Sequence, residues 1–369
     1  MTFAASYLAY WGKTGSSAQD QPAFHRLVFH SLDVAAVGSV LLRRHSALRR
    51  FLARSLGLPE AIATPWIVYL LAVHDLGKFA MAFQMQNETV VRALGRKPVQ
   101  KTYPPYHDSL GFAVWLNEIA TPILDDRVPN DRQDDWADFL EPIAQAITCH
   151  HGQPADTNAL NIWKRSFLAD DLTAAHEYAN DAATLLLGDC VFPTDLDPEP
   201  LLNNRVSEHA SWWLAGFAVL CDWLGSNREL FPFKQDPLDL ETYWQDHALP
   251  QAESAVKATQ LLPAKSAKAK ELTQLFEHLS RPTPLQALAQ ELALPDSPQL
   301  FLLEDITGAG KTEAAFVLLH RLLAAGLSEG FFVGLPTMAT ANAMFRRSEL
   351  VYARLFDDKS TVSHVLAHG

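Results

Sequence analysis

Cysteine is scarce in this chain. Its 369 residues hold three, Cys149, Cys190 and Cys221. An odd count without a Cys-x-x-Cys spacing excludes a disulfide scaffold and predicts a reduced, cytoplasmic protein. Long apolar runs are also missing. None reaches the roughly 20 residues that span a bilayer, and the longest, Ala210 to Leu224, is interrupted by Asp222. No membrane association is therefore expected. The N-terminus has no basic start followed by an apolar core, so no secretory signal is expected. Positive charge is in short supply, with 30 Lys+Arg against 42 Asp+Glu and a net charge of −12. That argues against a passive nucleic-acid coat, which needs Lys and Arg for the phosphate backbone. It leaves open an enzyme that meets phosphates through bound cations, because the sum omits them.

Apolar residues are plentiful, at 48% with 20% charged. The chain can bury a core, and its length predicts two or three domains. The charge is unevenly spread. Ten basic and eleven acidic residues lie from Ala264 on, which leaves 20 against 31 in residues 1–263. Ten of the 14 histidines also fall in that N-terminal part.

Helical spacing of apolar residues runs through 24–55, 65–84, 108–120, 136–151, 170–188 and 206–225. Residues 1–230 are read as an α-helical domain, 231–280 as a connector ending in a helix, and 281–369 as the start of an α/β domain. In that last part, strands are expected at Leu300–Leu303, at 331–335 and from about Val362. A helix is expected at 311–325. Strand, helix, strand is the order of a parallel sheet.

His74-Asp75 is the sharpest feature of the N-terminal part. The pair is expected inside an apolar helix, WIVYLLAVHDLGKFA. A buried acid beside an imidazole costs free energy unless something satisfies both, and a metal would. His30, His107, His150-His151 and Asp222 likewise sit in or at the ends of apolar helical stretches. Each alone has an ordinary reading as a core residue or a helix cap. Together they suit one convergent site in a bundle, and imidazole with carboxylate favours transition metals over Mg²⁺ alone. Lys78 lies one helical turn after His74 and is a candidate contact for a phosphate.

The second motif is Thr307-Gly308-Ala309-Gly310-Lys311-Thr312, between an expected strand and an expected helix. In that context the glycines let backbone N–H groups cradle phosphates, Lys311 reaches the β/γ-phosphates, and the Thr312 hydroxyl binds Mg²⁺.

The order His, His-Asp, His, His-His, Asp resembles the HD-domain nucleases. More narrowly, the chain resembles the CRISPR-associated helicase-nucleases of type I systems, subtype I-E, from residue 10 to its last residue. Tyr10-Trp11-Gly12-Lys13, HSLDVAAV from His30, HDLGKF from His74, His150-His151-Gly152 and LAGFAVLCDWLGS from Leu214 carry the resemblance. It implies an HD domain followed by an incomplete first RecA-like helicase lobe. It implies two divalent transition-metal ions (Fe, Mn, Ni or Co). His30, His74, Asp75 and Asp222 match the ligands of one, and Asp75, His107, His150 and His151 those of the other, with Asp75 bridging. Where the family has His-Gly, this chain has His107-Asp108. Pro284-Leu285-Gln286 resembles the adenine-reading Q motif, and LPTMATANAM from Leu335 resembles helicase motif Ia. ATP and Mg are the implied cofactors there, with Gln286 and residues Thr307 to Thr312 as binding residues. The family's phosphate loop begins with a small residue and Pro, in place of which this chain has Asp305-Ile306.

The implied activity is metal-dependent hydrolysis of single-stranded DNA, with Asp75 and Lys78 as catalytic residues. The implied partner is the crRNA-guided Cascade surveillance complex. A separate chain supplying the rest of the helicase is a further partner, because the motifs of ATP hydrolysis beyond Gly369 are absent and helicase activity is not expected of this chain alone. An HD-type nucleotide phosphohydrolase and a non-catalytic Cascade- or DNA-binding fragment are the alternatives.

Overall fold

The computed structural model describes residues 5–15, 22–101, 106–125, 127–129, 131–295, 297–357 and 362–367. The chain divides into two compact units, Met1–Thr259 and Gln260–Gly369.

The first unit is built around one helix, α1 (Leu27–Arg44), whose residues 27–37 are all buried. Its sequence is apolar all round, which suits a helix covered on every side. Around it pack α3 (Glu60–Ala72), α7 (Val206–Gly225) and α8 (Leu249–Ala258), with α2 (Ser46–Ser55) between α1 and α3. The outer helices are α4 (His107–Val114, continuing as a π-helical turn to Ile119), α5 (Gln133–Thr148) and α6 (Ala169–Leu187). Among the described residues the only sheet is a two-stranded antiparallel ribbon, β1 (Trp11–Gly15) with β2 (Ala23–Arg26), which packs on α1. Also among the described residues, no single helix is long and apolar enough to cross a membrane.

The expected connector does not stand apart. Helix α8 buries Ala252, Ala255 and Val256 against the first unit, because its small residues form one apolar stripe. Leu272, Leu275 and Phe276 belong instead to the core of the second unit. The break falls at Thr259/Gln260, within the segment expected to be linker.

The second unit holds α9 (Pro284–Glu291), α10 (Lys311–Ala324) and α11 (Met338–Leu355) around that core. Helix α10 forms as expected. The three expected strands do not: among the described residues, 300–305, 331–335 and 362–367 have no regular secondary structure and no ladder joins them. Their pattern gives the reason. Phe301 and Leu303 pack on the helical core, while Leu300 and Leu302 are 96% and 81% exposed and Phe332 is 88% exposed. A parallel strand is held by neighbours on both edges and cover on both faces. These segments have cover on one face only.

Candidate metal centre

Helix α3 stops at Ala72, and His74-Asp75 occupies the turn beyond it rather than the helix interior. The chain then tightens into a short 3₁₀ turn, Leu76–Phe79. Gly77 explains the departure. A Cβ there would lie 1.8 Å from the carbonyl oxygen of His107 and 2.6 Å from the Gly111 nitrogen. Only glycine lets this turn approach the first turn of α4 so closely, and the approach brings His107 over Asp75. His150 and His151 similarly lie in a turn just past the end of α5. Asp222 does lie within helix α7, and His30 within α1. Gly225 sets the close crossing of those two helices: a Cβ there would be 2.9 Å from the backbone nitrogen of Val34.

All seven expected ligands converge. Asp75 is at the middle, with His30 Nε2 at 3.2 Å, His74 Nε2 at 3.3 Å and Lys78 Nζ at 2.7 Å from its Oδ2. His107 Nε2 is 3.5 Å from its Oδ1. Asp222 Oδ1 is 3.5 Å from His30 Nε2 and 3.8 Å from His74 Nε2. His151 Nε2 meets His107 Nε2 at 3.2 Å. Three overlapping sets have donor atoms within 4.8 Å of one another: His30 with His74 and Asp75, His74 with His150 and Asp222, and His107 with His150 and His151. His74 and His150 each occur in two of these sets, so the side chains form one continuous donor surface.

Protonation fits metal binding. His74 Nδ1 donates to the Leu71 carbonyl at 2.7 Å, and His150 Nδ1 to the Thr148 carbonyl at 3.0 Å. A carbonyl only accepts, so the proton sits on Nδ1 and the Nε2 lone pair faces the cluster. Burial, reinforced by Lys13, lowers the pKa of His30. Burial and then Lys78 push His107 down to about 2. Burial and then His74 push His150 down to about 3. Burial alone would raise Asp75, but Lys78 and His74 override it and hold its carboxyl well below the usual range. Burial is likewise overridden at Asp222, where nearby His30, His74 and Lys13 hold the carboxyl well below the usual range. Neutral imidazoles and ionised carboxylates are the states that metal ligands require.

The strongest sign of a metal is what remains unsatisfied. His30 Nε2, His74 Nε2 and both oxygens of Asp75 are buried and accept or donate no well-aligned hydrogen bond. Orphaned buried polar atoms are rare and costly. Here four converge on one point, so the residues fit divalent cations.

Three supporting residues were not singled out from sequence. Gln84 is fully buried and clamps β1 to the His-Asp turn, donating to Trp11 O at 2.9 Å and Lys78 O at 2.7 Å while accepting from Trp11 N. Ser226 Oγ donates to Asp222 Oδ1 at 2.9 Å, one turn along α7. Lys13, on β1, faces the same charges: burial and Lys78 lower its pKa, against Asp222 and Asp75. A buried glutamine in FAMAFQMQ gives no sequence signal. Lys78 is buried and paired with Asp75, so it is not a solvated surface lysine.

In the second unit, Gly308 and Gly310 have φ of +88° and +81°, the left-handed region that glycine permits. The loop they form opens α10, with Thr312 in its first turn. Lys311 Nζ donates to the carbonyls of Asp305 and Ile306 at 2.7 and 2.9 Å. Asp305 turns its carboxylate onto the Ile306 N–H. Gln286 is buried, with Oε1 accepting from Thr283 N–H and Nε2 donating to the Gly310 carbonyl at 3.3 Å. Its Nε2 holds the loop, while its Oε1 caps the start of α9.

A helical bundle that focuses histidines and aspartates on one buried point defines the HD class of metal-binding domains. Residues 11–231 match the family model described as "Cas3, HD domain", and the chain belongs to that family. It is 30% identical to the CRISPR-associated endonuclease/helicase Cas3 of Escherichia coli K12 over 98% of its length, and 31% identical to the Thermus thermophilus protein of the same name over its whole length. It covers 41% and 38% of those relatives, about two fifths of each. The crystal structure of T. fusca Cas3 with ATP superposes with a TM-score of 0.73 at 26% identity, covering 98% of this chain and 39% of that one.

Proposed function

We propose that the chain is a metal-dependent nuclease of CRISPR type I interference, hydrolysing phosphodiesters in single-stranded DNA. The observation that carries this reading is the cluster of orphaned, correctly protonated donors around Asp75. His30, His74, Asp75 and Asp222 would hold one divalent ion, and Asp75, His107, His150 and His151 a second, with Asp75 shared. Fe, Mn, Ni and Co suit the imidazole-rich set. Bound there, such ions supply Lewis acidity and a nucleophilic water at neutral pH.

The chain's own residues do the rest. Leu71 and Thr148 carbonyls fix the imidazole tautomers. Gln84 and Ser226 hold the His-Asp turn and Asp222 in register. Lys78 places a fixed ammonium beside the reacting position, where it meets the scissile phosphate. The P-loop binds ATP and Mg through Lys311 and Thr312, with Gln286 bracing it; hydrolysis and translocation belong to a complete helicase. Recruitment by the crRNA-guided Cascade complex is the partner role that the family resemblance implies, and the cytoplasm is the compartment where such a target occurs.

The test is cleavage of circular single-stranded DNA by chain loaded with Mn²⁺, Ni²⁺ or Co²⁺, without ATP, beside Asp75→Ala. Cutting that disappears in the variant supports the reading. No cutting by metal-loaded protein, or cutting that survives in Asp75→Ala, refutes it.

A further inference from the structure

The domain proposed to cut DNA is acidic, yet residues 43–54 hold five arginines and no acid. That is a quarter of the basic residues of 1–263 in twelve positions. Three are occupied: Arg43 and Arg44 pair with Glu253, and Arg49 with Glu60. Arg50 and Arg54 are exposed, and among the described residues neither makes an ion pair. They sit four residues apart on one face of α2, with Ala47, Phe51 and Ser55 lining a shallow groove between them. Their separation, ~6 Å of helical rise, is on the scale of one nucleotide step in an extended strand.

Aromatic rings border this groove. Phe51 meets Trp213 of α7 edge-to-face at 5.1 Å, and both are exposed. Trp212, the next residue of α7, is 82% exposed. Single exposed apolar residues are ordinary, but an exposed ring pair, Phe51 with Trp213, beside two unpaired guanidiniums is not. Rings that stack bases, beside cations that track a backbone, are the means by which proteins hold single strands. A duplex keeps its bases stacked on each other and would leave the rings unused. Helix α7 connects the two places: Trp212 precedes the metal-site residue Asp222 by ten residues, or ~15 Å of helix.

We infer that the α2/α7 face, formed by Arg50, Phe51, Arg54, Trp212 and Trp213, is a second contact surface for single-stranded DNA, holding the strand outside the metal centre. This inference rests on the nuclease reading above and deepens it. The unpaired arginines bind consecutive phosphates, and Trp212 stacks a base. The surface supplies the positive charge that the domain's overall balance lacks.

The experiment is fluorescence anisotropy of a labelled oligo(dT), about 20 nucleotides long, with the full chain in chelator so that binding is read without cleavage. Arg50→Gln/Arg54→Gln should reduce the slope of log affinity against log salt by about 1.4, the value for two lost phosphate contacts on a single strand. Trp212→Ala should weaken binding roughly 5- to 150-fold, the range for one lost base stack. All three positions are exposed, and a thermal melt checks that the variants remain folded. Arg92→Gln, at another exposed arginine outside this surface that pairs with Glu88, is the single-charge control. Wild-type affinity and salt slope in the arginine and tryptophan variants would overturn the surface. So would an equal loss in Arg92→Gln, or weakened binding of polyglutamate with oligo(dT) binding unchanged, which would assign the face to an acidic protein. In these cases metal-dependent cutting by the wild-type chain leaves the nuclease reading standing. A wild-type chain that neither binds nor cuts single-stranded DNA overturns both.

Discussion

Gly77→Ala tests whether the metal centre depends on the close contact between the His-Asp turn and helix α4. The added methyl would sit 1.8 Å from the His107 carbonyl oxygen, 2.6 Å from the Gly111 nitrogen and 2.8 Å from the His107 carbonyl carbon. All three are backbone atoms, so no side chain can rotate away. The turn and the first turn of α4 must part by ~1 Å or more. Overpacking of this kind costs about 1–3 kcal/mol, and a clash with backbone belongs at the upper end. At about 2–4 °C per kcal/mol for a domain of this size, the melting temperature should fall by ~6–12 °C. The functional effect is separate and more specific. His107 would leave its position 3.5 Å from Asp75 Oδ1, and metal ligation tolerates only about 0.2 Å. Binding at the His107, His150 and His151 set should weaken, while His30 and Asp222, held by α1 and α7, keep theirs. Calorimetric titration with Mn²⁺ or Ni²⁺ reads the stoichiometry, and thermal unfolding reads the stability. Gly216→Ala is the control: nothing lies within 4 Å of its Cβ position in helix α7, so alanine should stabilise by about 0.5–1 kcal/mol. If Gly77→Ala melts within about 1 °C of wild type and binds the same number of ions, the argument from close approach is wrong.

Chelator-treated protein should lose stability as the pH falls below about 6.5. His107 and His150 have pKa values lowered to about 2 and about 3 in the fold, so the unfolded chain takes up their protons first. Two such groups give a slope of about 2.7 kcal/mol per pH unit, continuing down to about pH 3. Urea melts at pH 7.5 and 5.5 that coincide would contradict it. Lys311→Ala should leave metal-dependent cutting of single-stranded DNA unchanged and remove ATP binding, since its Nζ serves only the phosphate loop; lost cutting at normal metal content would break that division. Amides of 300–305 and 331–335 should exchange faster than those of α1, because no ladder protects them. Equal protection by hydrogen exchange would show that strand pairing forms there.

The metal centre is legible in the sequence because each ligand is a contrast with its surroundings. His30, His74-Asp75 and Asp222 interrupt apolar stretches that would otherwise read as pure core, and a core keeps such groups only if they are satisfied. Most helices are legible for the same reason, as their apolar stripes record which face is covered. What is not legible depends on partners distant in the chain. The end of α3 before His74 is set by a collision at His107, thirty residues on, and no local propensity contains it. The strands at 300–303 and 331–335 have the right composition, but a strand exists only through neighbours, and the described residues supply cover for one face. The unit boundary at Thr259 was hidden because α8 is amphipathic whether it packs on the first unit or crosses between units. The same distinction explains the α2/α7 surface. The arginine run is visible in sequence, but its meaning depends on which arginines find acids, and Glu60 and Glu253 claim Arg49, Arg43 and Arg44 while leaving Arg50 and Arg54 unpaired beside the Phe51–Trp213 pair. A site made by burial announces itself locally, whereas a site made by unused charge becomes visible only after every partner has been placed.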